Sequence, residues 1–282
     1  MLGPEILARS LSATQIADKF SNTWQYHSQS DSHSKIACWA VLFDLLHHCP
    51  LLLAHVEAKK VGFGINHAMG DFRTGREKNL DLVLCTPGTD DGRSSETFAG
   101  QVKAYSVVLT ATERASLAEL PSLARVPVGS VHVAIEAKAT MTEHVKALPR
   151  LYDELNSSHL AIHGSADFAV AAGFAIVNLA ETFVSTGRNK ADLSSHEVEI
   201  TRHKQPMAAQ RTIEKLREIP RRTQLGEVGF DALGILVIKM ANDGSPVTVV
   251  NGPPSPGPRD VLNYEQMIHR VASLYATKFG NV

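Results

Sequence analysis

The segment DFAVAAGFAIVNLA, residues 167–180, constrains the fold more than any other part of the chain. It is apolar at almost every position and lacks the polar alternation of a strand with one wet face. A short segment of this kind is typical of a central strand that helices cover on both sides. It is also shorter than the ~20 residues that cross a bilayer, so we expect no membrane span.

Extended and helical patterns alternate along the rest of the chain. Strands are predicted at 60–67, 79–85, 131–139 and 233–241, and helices at 4–20, 35–49, 140–156, 206–219 and 264–279. This order predicts an α/β protein with a mixed central β-sheet flanked by helices. We expect Pro50 to end the second helix. We also expect residues 1–34 to form an N-terminal helix and a polar linker, followed by a single domain over residues 35–282.

Composition limits the classes of partner and the compartment. The 28 Lys and Arg residues and 29 Asp and Glu residues leave a net charge of −1, so affinity for nucleic acid has to come from a local patch. The cysteines, Cys38, Cys49 and Cys85, include no C-x-x-C pair, which argues against a disulfide framework or a structural zinc site. With no secretory signal at the start of the sequence, we expect a cytoplasmic protein.

Charged residues interrupt two of the predicted strands. Strict alternation in VHVAIEAKA puts Val131, Val133, Ile135 and Ala137 on one face, and His132, Ala134, Glu136 and Lys138 on the other. In NLDLVLC the same rule separates Asp81 from Leu80, Leu82 and Leu84.

The two carboxylates in these strands suggest a metal site. If the strands are neighbours, Asp81 and Glu136 converge and repel each other, and Mg²⁺ relieves that repulsion with the hard oxygen ligands that it prefers. Lys138 could then orient or deprotonate a water molecule. These are the components of a phosphodiester hydrolase.

Asp81 in KNLDLVL, then IEAK (135–138) on a strand, then a helix and an apolar strand, resemble the active-site core of the PD-(D/E)xK restriction-endonuclease-like nucleases. The likeness covers roughly residues 35–180. It implies a restriction-endonuclease-like core with insertions, in which Asp81, Glu136 and the main-chain carbonyl of Ala137 bind Mg²⁺ and Lys138 serves the attacking water. In several members a helix upstream adds another acid, for which Glu57 is the first candidate here and Asp44 the second.

The sequence departs from the family pattern in two places. Asn79 and Leu80 precede Asp81 where the motif is named for a proline. Glu136 follows Asp81 by 55 residues, which requires an insertion within residues 86–128, available for dimerisation or DNA contact.

A second E-x-K occurs earlier in the chain. Glu57-Ala58-Lys59 follows Asp44 by 13 residues, which is closer to the usual spacing. Asp44, however, falls in a helical pattern, and Lys59 lies in a charged stretch rather than in a strand. The sequence therefore favours Asp81, Glu136 and Lys138.

Basic residues concentrate between positions 200 and 222, a segment that contains seven Lys or Arg residues and only two glutamates. Either this is a solvated helix face or it contacts phosphates. The residues predicted to contact DNA are Arg202, Lys204, Arg211, Arg221 and Arg222, together with Arg73, Arg76 and Lys78, which precede Asp81.

These patterns predict a Mg²⁺-dependent endonuclease that acts on double-stranded DNA. A type II restriction endonuclease working as a homodimer fits the chain length and duplex symmetry. Two alternatives stay open. One is a defence or repair nuclease of the same fold without a fixed short site. The other is a non-catalytic nucleic-acid-binding protein in which Glu136 and Lys138 merely pair with each other.

Overall fold

The computed structural model describes residues 1–72, 74–89 and 95–282, with Arg76 described by its backbone alone. The helices are α1 (Gly3–Ala13), α2 (Ser32–His48), α3 (Pro50–Glu57), α4 (Gln101–Ala104), α5 (Ala111–Glu119), α6 (His144–Ser165), α7 (Met207–Arg217) and α8 (Tyr264–Lys278). The strands are β1 (Ile16–Ala17), β2 (Thr23–Trp24), β3 (Gly62–Asp71), β4 (Arg76–Pro87), β5 (Val128–Thr140), β6 (Val170–Asn178), β7 (Thr182–Val184), β8 (Ile200–Arg202), β9 (Ala232–Lys239) and β10 (Thr248–Val249).

Six strands form one mixed sheet in the order β10-β9-β6-β5-β4-β3. β3, β4 and β5 are antiparallel neighbours, whereas β5, β6 and β9 run parallel and β10 pairs antiparallel with β9. The long helix α6 makes the crossover from β5 to β6, as a parallel connection requires. The α/β class and the mixed central sheet are confirmed.

Helices cover both faces of this sheet. One hydrophobic core lies between the sheet and α1, α2, α3 and α8, and a second lies between the sheet and α6 and α7. β6 contributes to both cores, and all nine of its residues are buried. The expectation of a central strand over residues 167–180 is therefore confirmed.

The helix predicted at 35–49 has a continuation that the sequence analysis did not include. α2 ends at His48, but Pro50 begins α3 instead of leaving an extended chain. Proline at the first position of a helix gives up no hydrogen bond, so it ends one helix and starts the next. Among the described residues no single helix is long and apolar enough to span a membrane, and α2 with α3 reaches that length only across a 97° bend.

Residues 1–34 pack into the same core as the rest of the chain. Ile6, Leu7 and Leu11 of α1 are almost completely buried against α2, which itself begins at Ser32. The N-terminal helix, α1, therefore shares one hydrophobic core with α2. Part of the insertion predicted within residues 86–128 also packs into the core. The Phe98 ring stacks on Trp39 of α2, with ring centroids 4.8 Å apart.

A buried carboxylate fastens α1 to α2. Asp44 is 1% exposed, and its oxygens accept hydrogen bonds from the backbone N–H groups of Leu2 and Gly3 and from the hydroxyl of Tyr264, all at 2.9 Å. Burial of this charge is tolerated because each oxygen has donors. Asp44 thus joins the N-terminus, α2 and α8.

We expect Asp44→Ala to lower the free energy of unfolding by about 2–4 kcal/mol, because it removes the acceptor of the buried Gly3 N–H, of the partly buried Leu2 N–H and of the closest hydrogen bond of the Tyr264 hydroxyl. Urea denaturation measures the change. The matched control is Asp31→Ala, which removes the partly exposed ion pair with Lys35 near the start of α2 and should cost no more than about 0.5 kcal/mol. An equal decrease in the free energy of unfolding in both variants would show that the hydrogen bonds of Asp44 do not stabilise the packing of α1 on α2.

Candidate active site

β4 and β5 separate at Asp81. In the antiparallel pairing of β4 with β5, Leu84 lies opposite Val133 and Leu82 lies opposite Ile135. The Leu82–Ile135 pair is the last one before Asp81. At the next position the carboxylate of Asp81 accepts a hydrogen bond from the backbone N–H of Ala137 at 2.9 Å. A side chain therefore takes the place of the main-chain carbonyl that would continue the ladder.

We call the point where the β4–β5 pairing ends the fork. Near it, side chains do not alternate strictly between the two faces of the sheet, in either β4 or β5. Leu82 and Leu84 face the core under α2, but Leu80 joins Val83 in the core under α6. The prediction that Leu80, Leu82 and Leu84 share one face is therefore wrong, and the break coincides with Asp81.

His132 does not lie on the face of Glu136 either. The β4–β5 register shifts between the pairs Leu84–Val133 and Cys85–Val131, which leaves His132 in a bulge. A bulge moves one residue out of the alternation. The imidazole stacks on Phe279, with ring centroids 4.5 Å apart, in the direction of α8.

Glu136 is the buried carboxylate of the site, with a side chain 1% exposed. Its Oε1 lies 2.7 Å from Nζ of Lys138 and 3.5 Å from Nζ of Lys78. Within the described part of the chain, its Oε2 has no hydrogen-bond partner. An unpaired buried carboxylate oxygen is costly, so this atom retains unused capacity to accept a hydrogen bond or to bind a cation.

Asp81 carries a strongly shifted proton affinity. Its net pKa is raised to about 6: burial is the largest cause and the negative charge of Glu136 adds to it, while Lys138, the N–H of Ala137 and Lys78 act in the opposite direction. The mutual repulsion expected from the sequence is thus present between the two acids.

Lys138 stays protonated in this environment. Burial lowers its pKa, but the charges of Glu136 and Asp81 outweigh that effect, so the net pKa is raised. A raised pKa does not suit a lysine that removes a proton from water. Of the two roles considered for Lys138, orienting a water molecule agrees with the electrostatics and deprotonating it does not.

Lys78 is a second lysine of the site, although the sequence analysis placed it among the DNA contacts. Its side chain is 19% exposed, and its ammonium donates to the carbonyl of Glu154 and the hydroxyl of Ser157 on α6 as well as approaching Glu136. Burial lowers the pKa of Lys78. The sequence holds no direct signal for this position, because it depends on how α6 packs across β4.

Neither upstream acid joins the site. Glu57 is exposed on the last turn of α3, before β3 begins at Gly62. Gly62, at the start of β3, lies opposite Cys85, which is roughly 13 Å along β4 from Asp81. From Gly62, β3 runs towards Asp81. Glu57 precedes Gly62 in the chain and therefore lies at the end of β3 that is remote from Asp81. The prediction that Glu57 is an additional metal ligand is wrong, and the carboxylate of Asp44 is occupied in fastening α1.

The residues predicted to contact DNA differ in exposure. Arg73 lies outside the described residues, and Arg76 is described only as the backbone partner of Asp71 in the β3–β4 hairpin. The exposed members are Arg202, Lys204, Arg211 and Arg221.

Arg222 is a structural residue. Its side chain is 1% exposed, and its guanidinium binds the carboxylates of Asp231 and Asp167 at 3.0 and 2.8 Å and the carbonyls of Asp167 and Ala169. These partners occupy its donors inside the protein. The prediction that Arg222 contacts DNA is therefore wrong.

Comparison of the chain with protein families, with curated proteins and with solved structures finds no match. Among residues 1–72, 74–89 and 95–282 there is also no group of three or more His, Cys, Asp or Glu residues that could hold a metal ion. Within these residues, Asp81 and Glu136 are therefore not part of a larger cluster of acids.

The shifted pKa of Asp81 can be measured by ¹³C NMR of its side-chain carboxyl carbon. We expect a midpoint near pH 6, and we expect Glu136→Gln to lower it, because the substitution removes a neighbouring negative charge. Glu77→Gln, which neutralises an exposed glutamate of β4, is the control and should leave the midpoint unchanged.

The same shift predicts the pH dependence of stability. Between pH 4 and 6 folded Asp81 holds a proton that the unfolded chain releases, so its contribution to stability is present below about pH 4 and is lost as the pH rises to 6. Relative to Asp81→Asn, the wild type should lose about 2 kcal/mol over this interval in urea denaturation. A constant difference across these pH values would contradict the shift.

Proposed function

We propose that this protein is a Mg²⁺-dependent endonuclease that hydrolyses phosphodiester bonds in double-stranded DNA. The observation that carries the proposal is the fork between β4 and β5, where Asp81 and Glu136 repel each other beside Lys138. The resemblance to the PD-(D/E)xK nucleases supports it, because β4 and β5 are neighbours in the sheet, with α4 and α5 inserted between them in the chain, and α6 and β6 follow β5 directly.

The residues at the fork fit a magnesium ion. Glu136 Oε2 has no hydrogen-bond partner in the described part of the chain, and Asp81 lies beside it with a raised pKa. The carbonyl of Ala137 points to the same edge of β5 as its N–H, towards Asp81. Two carboxylates and one carbonyl suit Mg²⁺, which commonly keeps water and substrate phosphate as its remaining ligands. When bound, Mg²⁺ would polarise the phosphate and lower the pKa of a water molecule.

The lysines have separate tasks in this proposal. Lys138 is protonated and 25% exposed, so it can donate a hydrogen bond to the attacking water or to a phosphate oxygen and offset the charge that develops there. Lys78 is fixed to α6 through Glu154 and Ser157. It therefore holds the carboxylate of Glu136 in place and acts as a positioning residue.

The finer parts of the proposal concern substrate and assembly. Arg202, Lys204, Arg211 and Arg221 are exposed and are proposed to contact DNA phosphates. A type II restriction enzyme acting as a homodimer would produce discrete fragments from long DNA, whereas a defence or repair nuclease without a fixed site would produce a smear.

A non-catalytic function is the second candidate, and one observation favours it. Glu136 Oε1 already has two cationic neighbours, Lys138 at 2.7 Å and Lys78 at 3.5 Å, which is an arrangement that a purely structural ion pair would also show. Such a protein would bind nucleic acid equally well in Mg²⁺ and in EDTA and would not cleave it.

The chain supplies its own control for a test of cleavage. We expect Glu136→Gln and Lys138→Met to reduce cleavage of long duplex DNA in Mg²⁺ by at least about 100-fold, because they remove a metal ligand and the residue that orients water. Glu57→Gln and Lys59→Met alter the other E-x-K in the same way and should retain full activity. Circular dichroism confirms that the variants are folded.

Two results would overturn the proposal. One is wild-type protein that binds DNA but leaves it intact with Mg²⁺ or Mn²⁺, which would favour the non-catalytic function. The other is equal loss of cleavage in the Glu136 and Glu57 variants.

A further inference from the structure

A pocket of about 300 Å³ lies beyond the C-terminal ends of β5 and β6. The first turns of α6 and α7 form two of its walls, and β8 forms a third. We call it the α6–α7 pocket. Its volume is at the lower end of the range for small-molecule sites and corresponds to a ligand of about one nucleotide.

The positive charge of the α6–α7 pocket exceeds its negative charge. Lys146 and Arg188 are paired with Glu143 at 3.0 and 3.6 Å, and Arg188 also binds Glu199. Three further cations in the wall have no acidic partner among the described residues: Arg202, Lys204 and Arg211. Unbalanced cations around a concavity concentrate anions within it.

Two helix N-termini meet at the same place. α6 begins at His144 and α7 at Met207, and the N-cap residues, Glu143 and Pro206, make no side-chain capping hydrogen bond. The positive end of a helix dipole favours a phosphate, although the N–H groups of Ala208 and Ala209 in the first turn of α7 are already bonded to the carbonyl of Lys204 and to Oε1 of Gln205. The helix ends therefore add to the attraction of the three unpaired cations.

Two buried polar atoms in the wall lack partners within the part of the chain that the structure describes, namely His144 Nδ1 and Thr201 Oγ1. His144 is 3% exposed, and its Nε2 donates to the carbonyl of Asn178 at 2.7 Å, which leaves Nδ1 as an acceptor. Buried polar atoms in folded proteins nearly always have a partner. His144 Nδ1 and Thr201 Oγ1 therefore retain unused hydrogen-bonding capacity beside the pocket, although both are covered in this structure.

The remaining wall is apolar. Val145 and Met207 are 64% and 41% exposed at the start of α6 and α7, so they offer a surface to a flat ring. A ligand that suits all three parts of the pocket carries a negative group, a hydrogen-bond donor and an apolar ring.

We propose that the α6–α7 pocket binds one nucleotide, with its phosphate at Arg202, Lys204 and Arg211 and its ring against Val145 and Met207. A free mononucleotide and a nucleotide within a DNA strand share this chemistry. The proposal holds whether or not Asp81 and Glu136 hydrolyse DNA, since it depends on none of the residues at the fork.

Calorimetric titration in EDTA tests the pocket without cleavage. The probes are deoxyadenosine monophosphate, a short single strand of DNA, and deoxyadenosine, which lacks the phosphate. We expect the first or second probe to bind and the third not to bind. Arg202→Gln/Arg211→Gln should weaken that binding by about tenfold or more, and Thr201→Val, which keeps the side-chain shape, by a smaller factor.

Arg114→Gln/Arg259→Gln removes the same charge from exposed positions outside the pocket and is the control, expected to bind within about twofold of the wild type. Binding of the mononucleotide would assign the pocket to a free or terminal nucleotide, and binding of the strand alone to a nucleotide within a chain. Absence of binding for both phosphate probes at about 1 mM, or equal weakening by the two double variants, would overturn the proposal. Because these measurements exclude Mg²⁺, their outcome is separate from that of the cleavage assay.

Discussion

The hydrogen bond between the carboxylate of Asp81 and the backbone N–H of Ala137 determines the geometry of the candidate site. In a continuous ladder this N–H would bind a main-chain oxygen of β4, and the two strands would stay about 5 Å apart. Because a side chain accepts the bond, the β4–β5 pairing ends at this point, next to Glu136. The same hydrogen bond fixes the orientation of the Asp81 carboxylate and partly offsets the cost of burying it.

The local sequence could predict the features that depend on burial alone. The apolar character of β6 and the spacing of Glu136 and Lys138 on β5 follow from residues within one element, and the structure agrees with both. The bulge at His132 and the end of the ladder at Asp81 depend on how β4 and β5 pair, and no pattern within either strand specifies that pairing.

Charge was the least reliable guide to position. Arg222 belongs to a basic stretch of sequence, yet Asp167 and Asp231 bind it in the interior. Lys78 resembled a surface residue and instead approaches Glu136. In both cases the deciding partners are distant in sequence, so counting charges in a window cannot separate a surface cation from one that neutralises a buried acid.

The charge balance of the fork bears on how the proposed nuclease would bind its ligands. Asp81 and Glu136 oppose Lys78 and Lys138, so with both acids ionised the four side chains sum to zero. A divalent cation added alone would leave an excess of two positive charges in a largely buried place, which is unfavourable. A DNA phosphate arriving with the cation reduces that excess. The cation and the nucleic acid should therefore strengthen each other's binding, and by linkage the coupling is the same in both directions.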